Sequence, residues 1–237
     1  MRNIKLSVVI PCYNEAENIP LILERFQSVI SRDDIEVILV DNNSKDNSAE
    51  VLEKNLPQFS FARTVFEPVA GYGRAVLAGL RASQGEYLGW THGDLQTPPS
   101  DVLKALTIIE AEKNPRRVYA KGWRRGRPLF DEFFTFGMSI FESLYFHRRL
   151  ADINAQPNVF HRNFFDSWVN PPEDFALDLF VLYQAKIEGL AIRRFPVVFP
   201  KRLHGESSWN TGLAAKWKFI KRTFSFSREL KKRFKKQ

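Results

Sequence analysis

The sequence predicts an α/β fold, a mostly parallel central sheet flanked by helices. Two observations carry that prediction. Short β-branched runs alternate with helical patterns through the first half of the chain, the order that builds parallel strands joined by crossover helices. Polar clusters also stand where successive runs end, and in an open α/β sheet ligands bind outside the carboxyl ends of the strands.

Leu6 to Pro11 reads as the first strand. Ile19, Leu23, Phe26 and Ile30 then recur at spacings of 4, 3 and 4, which gives the first helix an apolar stripe. Ile35 to Val40 is the second strand, and the Asn, Ser and Asp cluster at 41–48 is its exit loop and the cap of a second helix. Residues 62–66 form the third strand. A helix opens at a glycine-containing turn and runs from Gly71 to Ser83, and Glu86 to Trp90 is the fourth strand. Pro98 and Pro99 begin the next helix, since proline fits the first helical turn.

The second half is less regular. Val118 to Lys121 reads as a strand followed by a basic loop, Gly122 to Pro128. A Phe-rich helix covers 130–149, Asp152 to Phe160 leads into a short strand, a helix covers 173–188, and Ile192 to Val198 is the last strand. No repeat, low-complexity stretch or Pro/Gly-rich linker divides the chain. One domain over 1–212 with an extension over 213–237 is expected.

A chain of 237 residues, 44% hydrophobic, is long enough to bury one core, which excludes disorder throughout. Its 21 Phe and 5 Trp are generous, so part of the aromatic surface is expected to face something other than the core, with lipid one candidate. The formal charge is +8, but ten of the Lys and Arg lie in 213–237 against Glu229 alone, leaving +9 on the extension and −1 on the body. Charge so segregated argues against a protein that coats nucleic acid and for one localised anionic partner, such as phospholipid head groups. Leu213, Trp217, Ile220 and Phe224, then Phe226, Leu230 and Phe234, fall at helical spacing among these cations. They describe a basic amphipathic helix, interrupted near 225–227 by two serines, that rests on an anionic bilayer or docks on a membrane partner. Cys12 is the single cysteine, so no intrachain disulfide forms and a reducing, cytoplasmic setting is expected. No run reaches 18 apolar residues, which predicts peripheral attachment at the inner membrane face.

The four polar clusters are Pro-Cys-Tyr-Asn-Glu at 11–15, Asp-Asn-Asn-Ser-Lys-Asp at 41–46, Gly-Tyr-Gly-Arg at 71–74 and His-Gly-Asp-Leu-Gln at 92–96. Each alone is a common turn or cap. In this order, together with the Thr-Pro-Pro that follows Gln96, they resemble the family 2 glycosyltransferases of GT-A fold. Within these, Asp-Leu-Gln-x-Pro-Pro is most similar to the polyprenyl-phosphate sugar synthases. The resemblance covers about residues 6–210 and is strongest over 6–100; Arg-Leu-His-Gly-Glu-Ser-Ser at 202–208 resembles the family's Arg-x-x-Gly-x-Ser element.

The resemblance implies an inverting transfer of a sugar from a UDP- or GDP-sugar to a polyprenyl phosphate or related lipid-linked acceptor. Residue chemistry suits that reaction. A carboxylate such as Asp41 accepts from the N–H edge of a base, while Pro11, Tyr13, Glu15 and Asn43 frame base and ribose. The resemblance implies that Gly73, Arg74, His92 and Gly93 line the donor diphosphate. Asp94, Gln96 and Arg202 are the expected groups that assist departure of the diphosphate, with Mg²⁺ or Mn²⁺ held by Asp94, Gln96 and His92. Relatives carry Asp-x-Asp where this chain has His92-Gly93-Asp94, so imidazole replaces the first carboxylate. Arg124, Arg125, Arg127 and Ser207 are expected at the acceptor phosphate, with Trp123 as a lipid or sugar contact. A lipid phosphate attacks as an anion, whereas a sugar hydroxyl needs a base, for which Asp178 or Asp174, placed four apart on one helical face, are candidates. The substitution at His92 also keeps open a non-catalytic nucleotide-sugar-binding homologue that partners an active enzyme. A homo-oligomer is compatible with either reading.

Overall fold

The computed structural model describes residues 3–126, 129–198 (129–136 as backbone), 221 and 224–232. The strands are β1 (Leu6–Cys12), β2 (Ile35–Asp41), β3 (Ala62–Phe66), β4 (Tyr87–Trp90), β5 (Val118–Arg125), β6 (Asn158–His161) and β7 (Ala191–Val198). The helices are α1 (Asn18–Val29), α2 (Ser48–Asn55), α3 (Tyr72–Ala82), α4 (Pro99–Glu110), α5 (Leu129–Phe146), α6 (Arg162–Asp166) and α7 (Leu177–Ile187). The strands form one seven-stranded sheet in the order β3-β2-β1-β4-β6-β5-β7. Only β6 runs antiparallel to its neighbours. The expected mostly parallel α/β architecture is therefore the one observed.

Side-chain alternation explains why both faces are covered. Val8 and Ile10 of β1, with Val37 and Leu39 of β2, point into the cluster built with Ile19, Leu23 and Phe26 of α1 and Val102 and Leu106 of α4. Val9, Ile38 and Val40 point the other way, into a second cluster with Val76 and Leu80 of α3 and Phe180 and Val181 of α7. β1 and β2 are thus apolar at nearly every position, as strands buried on both faces must be. Each such side chain contributes about 1.5–3 kcal/mol by leaving water.

Three expectations for the second half are corrected. β5 does not end at Lys121 but continues to Arg125, pairing with β7 through Arg125↔Val198. The arginines are tolerated because strand alternation leaves Arg125 exposed, as it does Trp123, and because Arg124 pairs with the Asp152 carboxylate. α7 begins at Leu177 rather than 173, so Asp174 and Asp178 do not share a helical face: Asp174 lies in the preceding turn, where its carboxylate accepts from Ala176 N at 2.9 Å. The serines at 225 and 227 do not interrupt the C-terminal helix, which is continuous over 224–232.

That helix lies on α5. Phe224 stacks on Phe141 at 5.2 Å between ring centroids, Leu230 is fully buried, and Lys231 donates to the Tyr145 carbonyl at 2.6 Å with its Nζ 4.4 Å from the Tyr145 ring centre. Ser227, also fully buried, donates to Glu142 Oε1 at 2.7 Å. Over the described residues, Phe226 and Leu230, expected to meet lipid, therefore pack within the protein, while Phe224 stacks on α5 and stays half exposed. Leu213, Trp217, Ile220 and Phe234 lie outside the described residues.

Candidate active site

The strand order reverses between β1 and β4, because β1 is followed in sequence by β2 on one side while β4 lies on the other. Such a switch point opens a crevice at the carboxyl edge of the sheet. Three of the four polar clusters border it directly. Asp41 is the register partner of Cys12, and Asn42 N donates to the Cys12 carbonyl at 2.8 Å. From the opposite side, a Cβ built on Gly93 would lie 3.0 Å from the Pro11 carbonyl oxygen, so the loop after β4 passes close against the end of β1. The loops that carry Asp41 and Asp94 thus reach the end of β1 from its two sides. Asp41 and Asp94 are both buried.

Hydrogen bonds tie these loops into one rim. Asp41 Oδ1 accepts from Ser44 N at 3.0 Å, Asn14 Oδ1 accepts from Lys45 N at 2.7 Å, and Asn14 N donates to Ser44 Oγ at 3.1 Å. Asp46 accepts from Ala16 N at 3.2 Å and from Ser48 Oγ at 2.6 Å. Burial alone would raise the Asp46 carboxyl, but these bonds hold it below the usual range. Asn42 Oδ1 takes Gly71 N at 3.2 Å, which joins the third cluster. Asn14, Asn43 and Leu95 all have positive φ, at 56°, 58° and 60°. Asparagine tolerates that region; leucine does so rarely, and strain at such a position gathers at functional loops. Arg25 of α1 donates to the Leu95 carbonyl at 3.2 Å and braces the strained turn. Asp94 Oδ1 accepts from Gln96 N at 3.1 Å within it.

Gly73 is required by close approach: a Cβ there would sit 2.5–2.6 Å from backbone atoms of Glu173 and Asp174. Arg74 N donates to the Glu173 carbonyl at 3.0 Å, and the Arg74 guanidinium pairs with the Glu173 carboxylate. Phe175 stacks on Tyr72 at 5.0 Å, and the His92 ring lies 6.3 Å from that of Tyr72. Tyr13 is exposed and Glu15 half-buried at the outer rim, beside half-buried Pro11 and Asn43.

Beneath this rim lies a buried polar network. Asp178 Oδ1 accepts from Gln156 Nε2 at 3.2 Å and Asn158 Nδ2 at 3.3 Å, and the Tyr72 hydroxyl also bonds its carboxylate. Tyr72 in turn accepts from Trp90 Nε1 and Gln156 Nε2, each at 3.0 Å. Lys121, fully buried, donates to Asn158 Oδ1 and to the Ala155 carbonyl, both at 2.7 Å, and Tyr119 donates to the same Asn158 oxygen. Burial pushes the Lys121 ammonium down to about 7 against the pull of Asp178. Burial raises the Asp178 carboxyl, opposed by Lys121 and by His92. Asp178 is thus buried, at 3% exposure, and hydrogen-bonded to Tyr72 and Gln156 rather than open to solvent.

Of the residues expected at an acceptor phosphate, Arg124 is engaged elsewhere: its side chain and its backbone N–H both bind the Asp152 carboxylate, at 2.7 Å (Nε) and 2.8 Å (N). Burial would raise Asp152, but Arg124 holds it below its usual range. Arg125 is exposed, its guanidinium 4.4 Å from the centre of the Trp123 ring. Arg127, Arg202 and Ser207 lie outside the described residues. Arg25 was not anticipated from sequence, and the contacts that Asp46, Lys121 and the Gln156–Asn158 pair make were not legible there, although Asp46 lies in the 41–46 cluster and Lys121 at the end of the expected strand.

Residues 7–165 match the family described as Glycosyl transferase family 2. The chain belongs to that family. Among curated relatives, an undecaprenyl-phosphate 4-deoxy-4-formamido-L-arabinose transferase of Yersinia enterocolitica is 34% identical over 110 residues, 45% of this chain and 34% of that protein. Its counterpart in Pseudomonas fluorescens is 33% identical over 112 residues, 46% of this chain and 32% of that protein. The match spans about a third of the length of these relatives. Among solved structures, glucosyl-3-phosphoglycerate synthase of Mycobacterium tuberculosis in complex with Mn²⁺, UDP and glucosyl-3-phosphoglycerate superposes with a TM-score of 0.66 at 17% identity, covering 85% of this chain and 73% of that one. A mannosyltransferase of Pyrobaculum calidifontis in complex with GDP-mannose and Mn²⁺ gives 0.63 at 22% identity, covering 85% of this chain and 59% of that one. At such identities the likeness is one of fold, and the sheet of this family 2 chain is that of the GT-A glycosyltransferases. No helix among the described residues is long and apolar enough to cross a membrane.

Proposed function

We propose that this chain is an inverting glycosyltransferase that moves a sugar from a UDP- or GDP-sugar onto a polyprenyl phosphate, or a related lipid-linked acceptor, at the inner face of a membrane. The observation that carries the reading is the approach of the Asp41 and Asp94 loops to the two sides of the end of β1 at the switch point of the sheet. The names of the curated relatives support the acceptor class.

In this reading Asp41 accepts from the base, with Pro11, Tyr13, Glu15 and Asn43 around base and ribose. The diphosphate runs from there toward Asp94, past Gly73, His92 and Gly93. Arg74 reaches it from its pair with Glu173, and Arg202 adds charge as the sugar–phosphate bond breaks. A divalent cation, when bound, would neutralise the departing diphosphate. Asp94 and Gln96 would hold it, with His92 alongside. The fit is partial: no group of three or more His, Cys, Asp and Glu side chains gathers among the described residues, and Asp94 supplies one carboxylate. Magnesium ordinarily takes one or two carboxylates together with substrate phosphates, so retention here leans on the donor itself. The acceptor phosphate, already an anion near neutral pH, attacks the anomeric carbon in line and inverts it without a protein base. Asp178 then has a positioning role, consistent with its burial. Arg125 and Arg127, with Ser207, are left to hold the acceptor phosphate, since Arg124 is bound to Asp152.

The test is incubation of the protein with UDP- and GDP-sugars, a polyprenyl phosphate and Mn²⁺ or Mg²⁺. Acceptor-dependent release of nucleoside diphosphate with an inverted anomeric proton in the product is expected; no release from any donor would reject the reading. His92 favours one alternative, a homologue that binds nucleotide sugar without turnover and partners another enzyme. Nucleotide binding with no turnover, unchanged in His92→Asp, would support that alternative.

A further inference from the structure

The C-terminal helix buries Leu230 and stacks Phe224 on α5, so over the described residues it is not a free amphipathic tail. Ile140 is 45% exposed and Leu144 is 70% exposed, one helical turn apart on α5, and Phe224, 50% exposed, lies beside them through its stack on Phe141. Isolated exposed apolar side chains are ordinary. The neighbouring segments are basic: Arg148 and Arg149 just past the end of α5, and Lys221, Arg228 and Lys232 of the C-terminal segment, are all exposed, with Glu229 the exposed acid among the described residues there. Lys231 is turned inward onto Tyr145.

We propose that the exposed stripe of α5 and the exposed cations of the helix docked on it together form the surface that seats the protein on an anionic bilayer. Apolar side chains together with lysine and arginine match the acyl boundary and the phosphate layer above it. The docked helix adds charge to this surface and α5 adds the apolar wedge. The same helix touches the sheet edge that carries the candidate site: Asp152 N donates to Ser139 Oγ of α5 at 3.2 Å, and the Asp152 carboxylate holds Arg124 at the end of β5. A lipid-anchored acceptor held at this surface would therefore have its phosphate near the exit of β5. That consequence rests on the acceptor proposed above; the surface itself does not.

The experiment is co-sedimentation of the full chain with vesicles of phosphatidylcholine mixed with phosphatidylglycerol, and with phosphatidylcholine alone. Wild-type protein binds the anionic vesicles and not the neutral ones. Ile140→Ser with Leu144→Ser lowers the affinity about tenfold or more, and so does Arg228→Glu with Lys232→Glu, while both variants keep the wild-type circular dichroism spectrum and melting temperature. Failure of the wild type to bind anionic vesicles overturns the proposal. So does unchanged affinity of the Ile140/Leu144 variant, which would assign binding to the tail alone. Loss of a solution dimer in that variant, with vesicle binding intact, would assign the face to a second copy instead. Vesicle binding requires no sugar transfer, so its failure and the failure of the catalytic reading are separate results.

Discussion

Replacing Glu142 by glutamine should stabilise the protein in a pH-dependent way. Glu142 of α5 is fully buried against the C-terminal helix; Oε1 accepts from Ser227, and Oε2 has no hydrogen-bond partner among the described residues. Burial, only partly offset by Ser227, raises its carboxyl from 4.5 to about 7. Each tenfold in proton affinity is worth about 1.4 kcal/mol, so the folded chain holds this proton about 3 kcal/mol more tightly than the unfolded chain. Between pH 4.5 and about 7 the folded state carries more protons at this site, so stability falls as pH rises through that window and the penalty is complete above it. Glutamine resembles the protonated acid and escapes the penalty. Urea unfolding should show Glu142→Gln within about 1 kcal/mol of wild type at pH 5 and more stable by up to about 3 kcal/mol at pH 8. Equal stability at pH 8, or a variant weaker at both pH values, would refute the argument that an uncompensated carboxyl is buried beneath the docked helix.

Three further outcomes follow from the site. Lys121→Met should cost about 3 kcal/mol in denaturant unfolding by leaving Asp178 and Asn158 without their buried cation, and Asp178→Asn added to it should recover part of that loss. Gly73→Ala should cost about 1–3 kcal/mol, because its Cβ drives the start of α3 from the Glu173–Asp174 backbone, and should weaken binding of nucleoside diphosphates measured by calorimetry. Arg124→Ala should cost about 3 kcal/mol or more in thermal unfolding by stranding Asp152, whereas the double variant with Asp152→Ala should lose less than the sum of the two single losses.

The first half of the fold was legible because its strands are buried on both faces and its helices are amphipathic, so periodicity and burial agree. The second half was harder for reasons that particular residues show. Arg124 and Arg125 disguise the end of β5, since charged residues in a strand read as loop until pairing with β7 and the Asp152 contact are known. Glu173 and Asp174 read as a helical start, but Gly73 draws their backbone onto α3 and the helix begins only at Leu177. In the candidate site, the clusters that close β1, β2 and β4 were readable by their order. The contacts that hold them in place were not, because the bonds of Asp46 to Ala16 N and of Arg25 to the Leu95 carbonyl join residues distant in sequence. The extension shows the same limit: spacing identified its apolar face, while only the packing shows that Leu230 is buried and that Phe224 stacks on α5.

The central claim is that Asp41 and Asp94 border one nucleotide-diphosphate pocket. Calorimetric titration of UDP and GDP, each with Mn²⁺, into wild-type protein and into Asp41→Asn and Asp94→Asn tests it most directly. One nucleotide should bind the wild type; Asp41→Asn should weaken it with or without metal, and Asp94→Asn should remove chiefly the enhancement by Mn²⁺. Binding of neither nucleotide, or equal binding by all three proteins, would contradict the account.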